Sequence, residues 1–474
     1  GVSYGNKVHY QHHGIWFARH GYVCLTIDTL QLGEIEGIHH GTYNHDMWWW
    51  NSRGYSSASV EAWNSIRALD YLETLDFVDK NRFGVTGRSG GGAYSWWISV
   101  LDERIKVSAP VAGITSLKNH VYAGFQNSGR LAHGVVEGHC DSMFHVNTYR
   151  WDFDHIAALV APRPLMILNT DDDRIFPLDG VTDVFNGVRR IYDLHGQRNK
   201  LGLTIVPGGH SDTQPLQVPA FNWFNRHLKG EEGPITVAAV KLFEPEQLKV
   251  FNELPADSIN ADIQETFTQL ADDKSKPSPK TVELLRAKTF RGWPAKENSL
   301  NAKRAFSTEY EGVVFEAIDF DSQEHIRLRA YIAYRKGLEK PSRVDVEVLN
   351  EEYWNKYLKL GRPAFADVWG EELKLAKIKA DAPVTDKEQQ AIEKRMAGVR
   401  KGDVVFVAFM PRGFGLSAMT QDERHITHSR RRFMLLGQTL AGMQVWDVRR
   451  CVRLVQDLGY VCPVTLWGYD TPSS

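Results

Sequence analysis

Three residues far apart in the chain have the types and local settings of a nucleophile, an acid and a base. Ser89 sits in Gly87-Arg88-Ser89-Gly90-Gly91, a G-x-S-x-G run between an apolar stretch (82–86) and a segment of small and aromatic residues. A sharp strand-to-helix bend strains the serine backbone and crowds its neighbours, which calls for glycine two positions to either side. The hydroxyl then stands at the start of the helix, with the Gly90 N–H aimed where an oxyanion would form. A serine hydroxyl needs a base, and an imidazole base needs an orienting acid. The run PLMILNTDDDRIFPLDG ends a strand and offers Asp171, Asp172 and Asp173. An apolar-Pro pair three and four residues on, Phe176-Pro177, selects Asp173; Asp171 and Asp172 read as solvated turn residues. His210, in LTIVPGGHSDT, follows the last strand in a Gly-rich loop that lets its ring reach the serine. Serine, acid and base in this order, each just after a strand, is the order of one large hydrolase architecture. This chemistry requires no metal and no cofactor.

The elements that must position these residues follow from periodicity. Residues 1–230 alternate helix-like and strand-like segments: a helix over 8–19, a buried strand at GYVCLTIDTL (21–30), and a helix over 58–75 with Val60, Trp63, Ile66, Leu69 and Leu72 on one stripe. Then come the strand and bend at Ser89, a helix to about residue 101, and strands at 105–113, 164–170 and 201–207. Helices are expected over 178–195 and 215–228. Such alternation predicts an α/β fold, a mostly parallel sheet with helices on both faces. A polar insert at about 114–160 interrupts it and reads as a cap or lid. Residues 231–310 read as a helical linker. Strands are expected again at 313–320, 326–334, 343–349 and 403–415, with a charged helical insert over 350–400, a long helix near 438–459 and a final strand at 461–470.

An internal repeat underlies this second half. GYVCLTIDTLQLG resembles GDVVFVAFMPRGFG from Gly402, and VEAWNSIRALDYL matches MQVWDVRRCVRLV, with Trp63 over Trp446 and Arg67 over Arg450. Residues 311–474 are therefore expected to form a second, incomplete and non-catalytic hydrolase-like domain, with Asp470 at its nucleophile position. By the same comparison the chain reads as cut at both ends.

Composition narrows the partners. With 56 Lys and Arg against 58 Asp and Glu the net charge is −2, which does not suggest a nucleic-acid or membrane-surface partner. No apolar run approaches the roughly 18 residues that would span a bilayer. Cys24, Cys140, Cys451 and Cys462 form no C-x-x-C pair and read as reduced.

The elbow Gly87-Arg-Ser-Gly-Gly-Gly, Asp173-Arg-Ile-Phe-Pro and Gly209-His210 resemble the serine α/β-hydrolases. Within them the chain is similar to the acetylxylan esterase and dienelactone-hydrolase-like group, including bacterial tandem-domain members. The likeness covers about residues 1–230 well and 310–474 weakly. It departs at Gly90, where acetylxylan esterases often have Gln. The resemblance implies catalytic Ser89, Asp173 and His210, an oxyanion donor at Gly90, and deacetylation of a small-molecule or polysaccharide ester, with export from the cytoplasm. Arg88, Trp48, Trp49 and Trp50 are candidate substrate contacts, the tryptophans as flat platforms for sugar rings. Helix or lid packing is the competing expectation for Trp48–Trp50, as for Trp96 and Trp97. His139, Cys140, Asp141 and His145 cluster in sequence but match no zinc spacing. RHITHSRRR (424–432) reads as a solvated basic face. Rival functions are a prolyl-oligopeptidase-type peptidase (no blade-like repeat supports it), a glucuronoyl esterase with Arg88 on a uronate, and a non-catalytic carbohydrate-binding relic.

Overall fold

The computed structural model describes residues 4–122, 136, 139–270, 276, 278–419 and 422–469. The chain divides into two compact units, Gly1–Pro277 with Thr427–Gly437, and Ser278–Ile426 with Gln438–Ser474.

In the first unit, α1 (Gln11–Arg19) and α2 (Ser57–Glu73) precede β1 (Phe83–Arg88), α3 (Gly90–Leu101) and β2 (Ile105–Val111). Then follow α4 (Phe153–Ala158), β3 (Leu165–Thr170), α5 (Leu178–Leu194), β4 (Leu201–Val206) and α6 (Gln214–Phe224). The sheet has the order β1-β2-β3-β4, all parallel. Its core joins Val107, Ala109 and Val111 of β2 to Leu165, Ile167 and Leu168 of β3. Trp16 of α1, Val181, Val184 and Val188 of α5, and Phe221 and Phe224 of α6 close on them. The i, i+3, i+7 spacing of the α5 valines makes that helix amphipathic.

Several expectations need correction. The stretch 21–30 forms no strand, and Val23 and Leu25 are exposed. Its pattern match in the second unit pairs with two neighbours, whereas the described residues of the first unit place no strand beside 21–29. An apolar run becomes a strand only where another backbone takes up its N–H and C=O groups. The described part of the 114–160 insert is not a lid. Met143, Phe144, Phe153 and Ile156 lie in the main core, and His120 is fully buried. Residues 231–310 are not a helical linker: 231–277 belong to the first unit, their described residues carry only short turns of helix, and α7 (Pro279–Lys288) opens the second.

The second unit begins its sheet at β5 (Lys303–Tyr310), a strand the periodicity missed, and continues with β6 (Val313–Gln323), β7 (Ile326–Arg335) and β8 (Arg343–Val348). Three helices follow, α8 (Glu351–Phe365), α9 (Gly370–Leu375) and α10 (Asp386–Lys401), then β9 (Val404–Phe409), α11 (Glu423–Leu435), α12 (Leu440–Asp457) and β10 (Val464–Gly468). The strand order is β10-β8-β9-β7-β6-β5, parallel across β10, β8 and β9 and antiparallel from β9 to β5. Alternation sorts β9 between two cores. Val405, Val407 and Phe409 face α12, while Phe406 and Ala408 face the aromatic cluster of Trp354, Phe365 and Trp369. Asp470 lies outside the described residues.

The basic run is not a solvated face. Residues 427–437, mostly the end of α11, are built into the first unit, where Arg431 is fully buried. Its guanidinium pairs with Asp141 and donates to the carbonyls of Val136 and His139.

Candidate active site

Ser89 occupies the bend between β1 and α3 with φ +60° and ψ −117°, a region a non-glycine residue enters only when its surroundings hold it there. A Cβ at Gly87 would lie 2.6 Å from the Gly91 carbonyl oxygen, so only glycine allows the chain to double back. One at Gly92 would lie 2.5 Å from the Val111 oxygen, and its absence lets α3 press against the end of β2. Gly91 itself has open space around it. The Gly90 N–H, first of the helix, donates to no acceptor among the described residues.

His210 bridges the other two residues. Its Nε2 lies 2.9 Å from Ser89 Oγ and its Nδ1 2.7 Å from Asp173 Oδ2. Asp173 is buried, and its Oδ1 accepts the N–H groups of Ile175 and Phe176 at 3.0 Å each. Both carboxylate oxygens are thus committed, which fixes the ring that Oδ2 orients. The two loops are tied together as well. Asp171 Oδ1 accepts the Gly208 N–H, Asp172 N–H donates to the Gly208 carbonyl, and Thr170 Oγ1 donates to the Gly209 carbonyl. Asp171 is therefore a tie between loops as well as a turn residue.

Arg88 has partners within the protein. Its Nη2 donates to the His210 carbonyl at 2.6 Å and its Nη1 to Tyr10 Oη at 3.5 Å. The tryptophans do not make a platform. Trp50 is 2% exposed in a cluster with Leu30, Tyr55, Val60 and Ile263. Trp48 packs on the main core beneath the Arg430 guanidinium, and Trp49 lies beneath that of Arg53. Trp96 is core, and Trp97 packs against it.

The stretch around Cys140 supplies neighbours that spacing did not assign. His139 Nε2 donates to the Ile175 carbonyl at 2.7 Å, and its ring stacks on Phe176, whose other neighbour is the His210 ring. Burial pushes His139 well below the usual histidine range, so it serves as a neutral donor. Cys140 Sγ lies 3.7 Å from where a Gly90 Cβ would stand. Burial pushes this thiol up, but His39 beside it reverses the effect and brings it to about 7. Asp141 accepts from Thr42 and Arg431, and His145 packs on Trp97. The four side chains thus turn to different partners. The signal that points to them is aromatic: in the sequence Phe176 reads only as half of an apolar-Pro pair.

Among the described residues one group, His12 and His13 of α1 with Asp212 of the loop that carries His210, brings three metal-ligating atoms within 4.8 Å of one another. No helix among the described residues is long and apolar enough to cross a membrane.

With this geometry in hand, comparison with known proteins is informative. A family model of fungal glucuronyl esterases matches residues 39–196. YtaP of Bacillus subtilis (strain 168), provisionally named a hydrolase, is 27% identical over 210 residues, 44% of this chain and 66% of that protein. The 4-O-methyl-glucuronoyl methylesterase of Phanerochaete carnosa (strain HHB-10118-sp) is 25% identical over 244 residues, 46% of this chain and 58% of the relative. The chain thus spans less than two thirds of each. Among solved structures, the glucuronoyl esterase catalytic domain of Hypocrea jecorina aligns with TM-score 0.34 at 19% identity, over 47% of this chain and 66% of that one. The Sporotrichum thermophile glucuronoyl esterase aligns with TM-score 0.32 at 24% identity, over 38% and 53%. In the first unit a parallel sheet is flanked by helices, an α/β arrangement, and the second unit carries a sheet of its own.

Proposed function

We propose that this chain is a serine carboxylic-ester hydrolase acting on carbohydrate esters, and that the ester it cleaves is one of a uronic acid rather than an acetyl group. The observation that carries the first part is the hydrogen-bonded line Ser89–His210–Asp173, with the Gly90 N–H uncommitted beside it. The second part is supported by the family match, which runs through Ser89 and Asp173, and by a relative whose name is 4-O-methyl-glucuronoyl methylesterase. The expectation of deacetylation yields to it. Arg88 plays no part in this choice. In a uronate ester the sugar carboxyl is itself the scissile acyl group, so no free carboxylate remains for an arginine to hold.

Ser89 Oγ attacks the ester carbonyl while His210 Nε2 takes the hydroxyl proton. Asp173 holds Nδ1–H and stabilises the imidazolium. The carbonyl oxygen becomes an oxyanion against the Gly90 N–H. Collapse breaks the ester C–O bond, the departing alcohol takes the proton from His210, and a uronoyl group remains on Ser89. Water, deprotonated by His210, then releases the uronic acid and restores the serine. By the same reading the second unit is a hydrolase-like domain. Its β9, matched in pattern to residues 21–30, lies between β8 and β7 in a sheet that ends at β10.

The test is a side-by-side measurement of kcat/KM on a methyl glucuronate ester, on acetylated xylan and on p-nitrophenyl acetate. Preference for the uronate ester by at least tenfold is expected. Equal or better turnover of acetylated xylan would return the specificity to deacetylation.

A further inference from the structure

Two residues beyond His210, Asp212 turns its carboxylate inward. Its side chain is 4% exposed, yet neither carboxylate oxygen accepts a hydrogen bond. His13 Nε2 lies 3.0 Å from Oδ2 but out of line for a hydrogen bond, and it too lacks a partner. His12, next on α1, has a buried Nδ1 without one. Four unpaired polar atoms therefore meet in one buried place. Each such atom ordinarily costs about 1–3 kcal/mol, and native interiors keep few of them. The aromatic packing of α1, where the His13 ring meets Phe221 edge-on, holds the imidazoles at this spot.

We propose that His12, His13 and Asp212 bind one divalent transition-metal ion of the zinc class. Two imidazole nitrogens and one carboxylate oxygen suit zinc. Calcium and magnesium prefer all-oxygen shells, and copper(I) prefers sulfur. Ligands about 2.0–2.2 Å from a tetrahedral ion stand about 3–3.5 Å apart. The His13–Asp212 separation of 3.0 Å has that spacing, and all three ligand atoms lie within 4.8 Å of one another, so closure needs only a small turn of a ring. Gln217 is the outer partner. Its side-chain amide lies 3.2 Å from His12 Nε2 and donates to the Asp212 carbonyl at 3.0 Å, so it orients one ligand ring and the backbone of another ligand. The ion ties α1 to the loop between β4 and α6 and anchors the base two residues away. It takes no part in the ester chemistry. Only this last consequence rests on the esterase reading; the binding does not.

The whole chain, stripped with a chelator, is titrated with zinc in competition with a chromophoric chelator, and separately loaded with cobalt(II). One equivalent of zinc is expected with a dissociation constant below about 1 μM. Asp212→Asn and His13→Gln should each weaken it about 100-fold or more, and Ser89→Ala should not change it. Cobalt(II) should give the intense visible bands of a four-coordinate site. The absence of a tight equivalent overturns the site. So does an equivalent that both substitutions leave intact, since the chain has 18 histidines that can hold zinc elsewhere. Should a variant fail to fold, X-ray absorption on the zinc-loaded parent decides: two imidazoles in the first shell support the site, and one or none overturns it. Zinc binding of this kind without ester turnover would sink the esterase reading and leave the metal site standing.

Discussion

At the level of single residues, the account turns on commitments: which atoms are engaged and which are left free. Asp173 has no spare oxygen, because one faces His210 and the other accepts two backbone N–H groups. Asp173→Asn keeps the size and loses the charge that stabilises the imidazolium. The expected result is a fall in kcat of about 10³–10⁴ with little change in KM, read by steady-state ester hydrolysis. Glu61 is the opposite case. Burial pushes its carboxyl up to about 7, against the Leu30 N–H it accepts and the nearby His39. An acid whose folded pKa lies above its unfolded value binds more protons folded than unfolded. Its contribution is therefore complete below about 4.5 and is lost as pH rises through 7. Glu61→Gln should flatten that part of the stability–pH curve, by at most about 3 kcal/mol, in denaturant titrations at pH 4.5 and 8. Serine, acid and base could be named from sequence because each follows a strand in a distinctive local setting. The roles of His139 and Phe176 could not, because the stack of His139 on Phe176 and of Phe176 on His210 joins segments far apart in the chain. Trp50 misled for the same reason: an aromatic side chain reads alike whether it faces a ligand or Leu30.

At the level of elements, the elbow makes a sharp distinction between two glycines of one motif. Gly87→Ala would drive a Cβ into the Gly91 backbone and should cost about 2 kcal/mol or more. Gly91→Ala meets open space inside a helix and should be neutral or stabilising by up to about 1 kcal/mol. Thermal melting of the two variants checks this, and equal losses would mean that the bend is not held as described. Strands with partners were legible from apolar runs, as in β2, β3 and β4. Residues 21–30 have the same composition but, among the described residues, no strand beside them, and composition alone does not carry that information. The reverse holds for β5: its pattern Lys-Arg-Ala-Phe-Ser-Thr-Glu-Tyr is too polar to signal a strand, and β6 beside it makes it one.

For the molecule as a whole, the division into units does not follow the chain. Residues 427–437 return to the first unit, and Arg431 there holds Asp141 and the carbonyl of His139, the residue that packs on Phe176. As sequence the run 424–432 reads as a solvated basic face, because a charged run usually is one, and only the buried Asp141 explains the exception. Arg431→Met leaves a buried carboxylate without its cation and should destabilise the first unit by about 3–5 kcal/mol, with Asp141→Asn in the same background recovering part of the loss. Additive losses in that double-mutant cycle, measured by chemical denaturation, would contradict the coupling.

The central claim is that Ser89 is the nucleophile. The most direct measurement is reaction of the chain with a fluorophosphonate, followed by intact mass and peptide mapping. Attack by Ser89 Oγ should expel fluoride and add one phosphonyl group per chain, on Ser89, and Ser89→Ala should remain unlabelled. Labelling that persists in Ser89→Ala, or no labelling of a folded parent, would contradict the account.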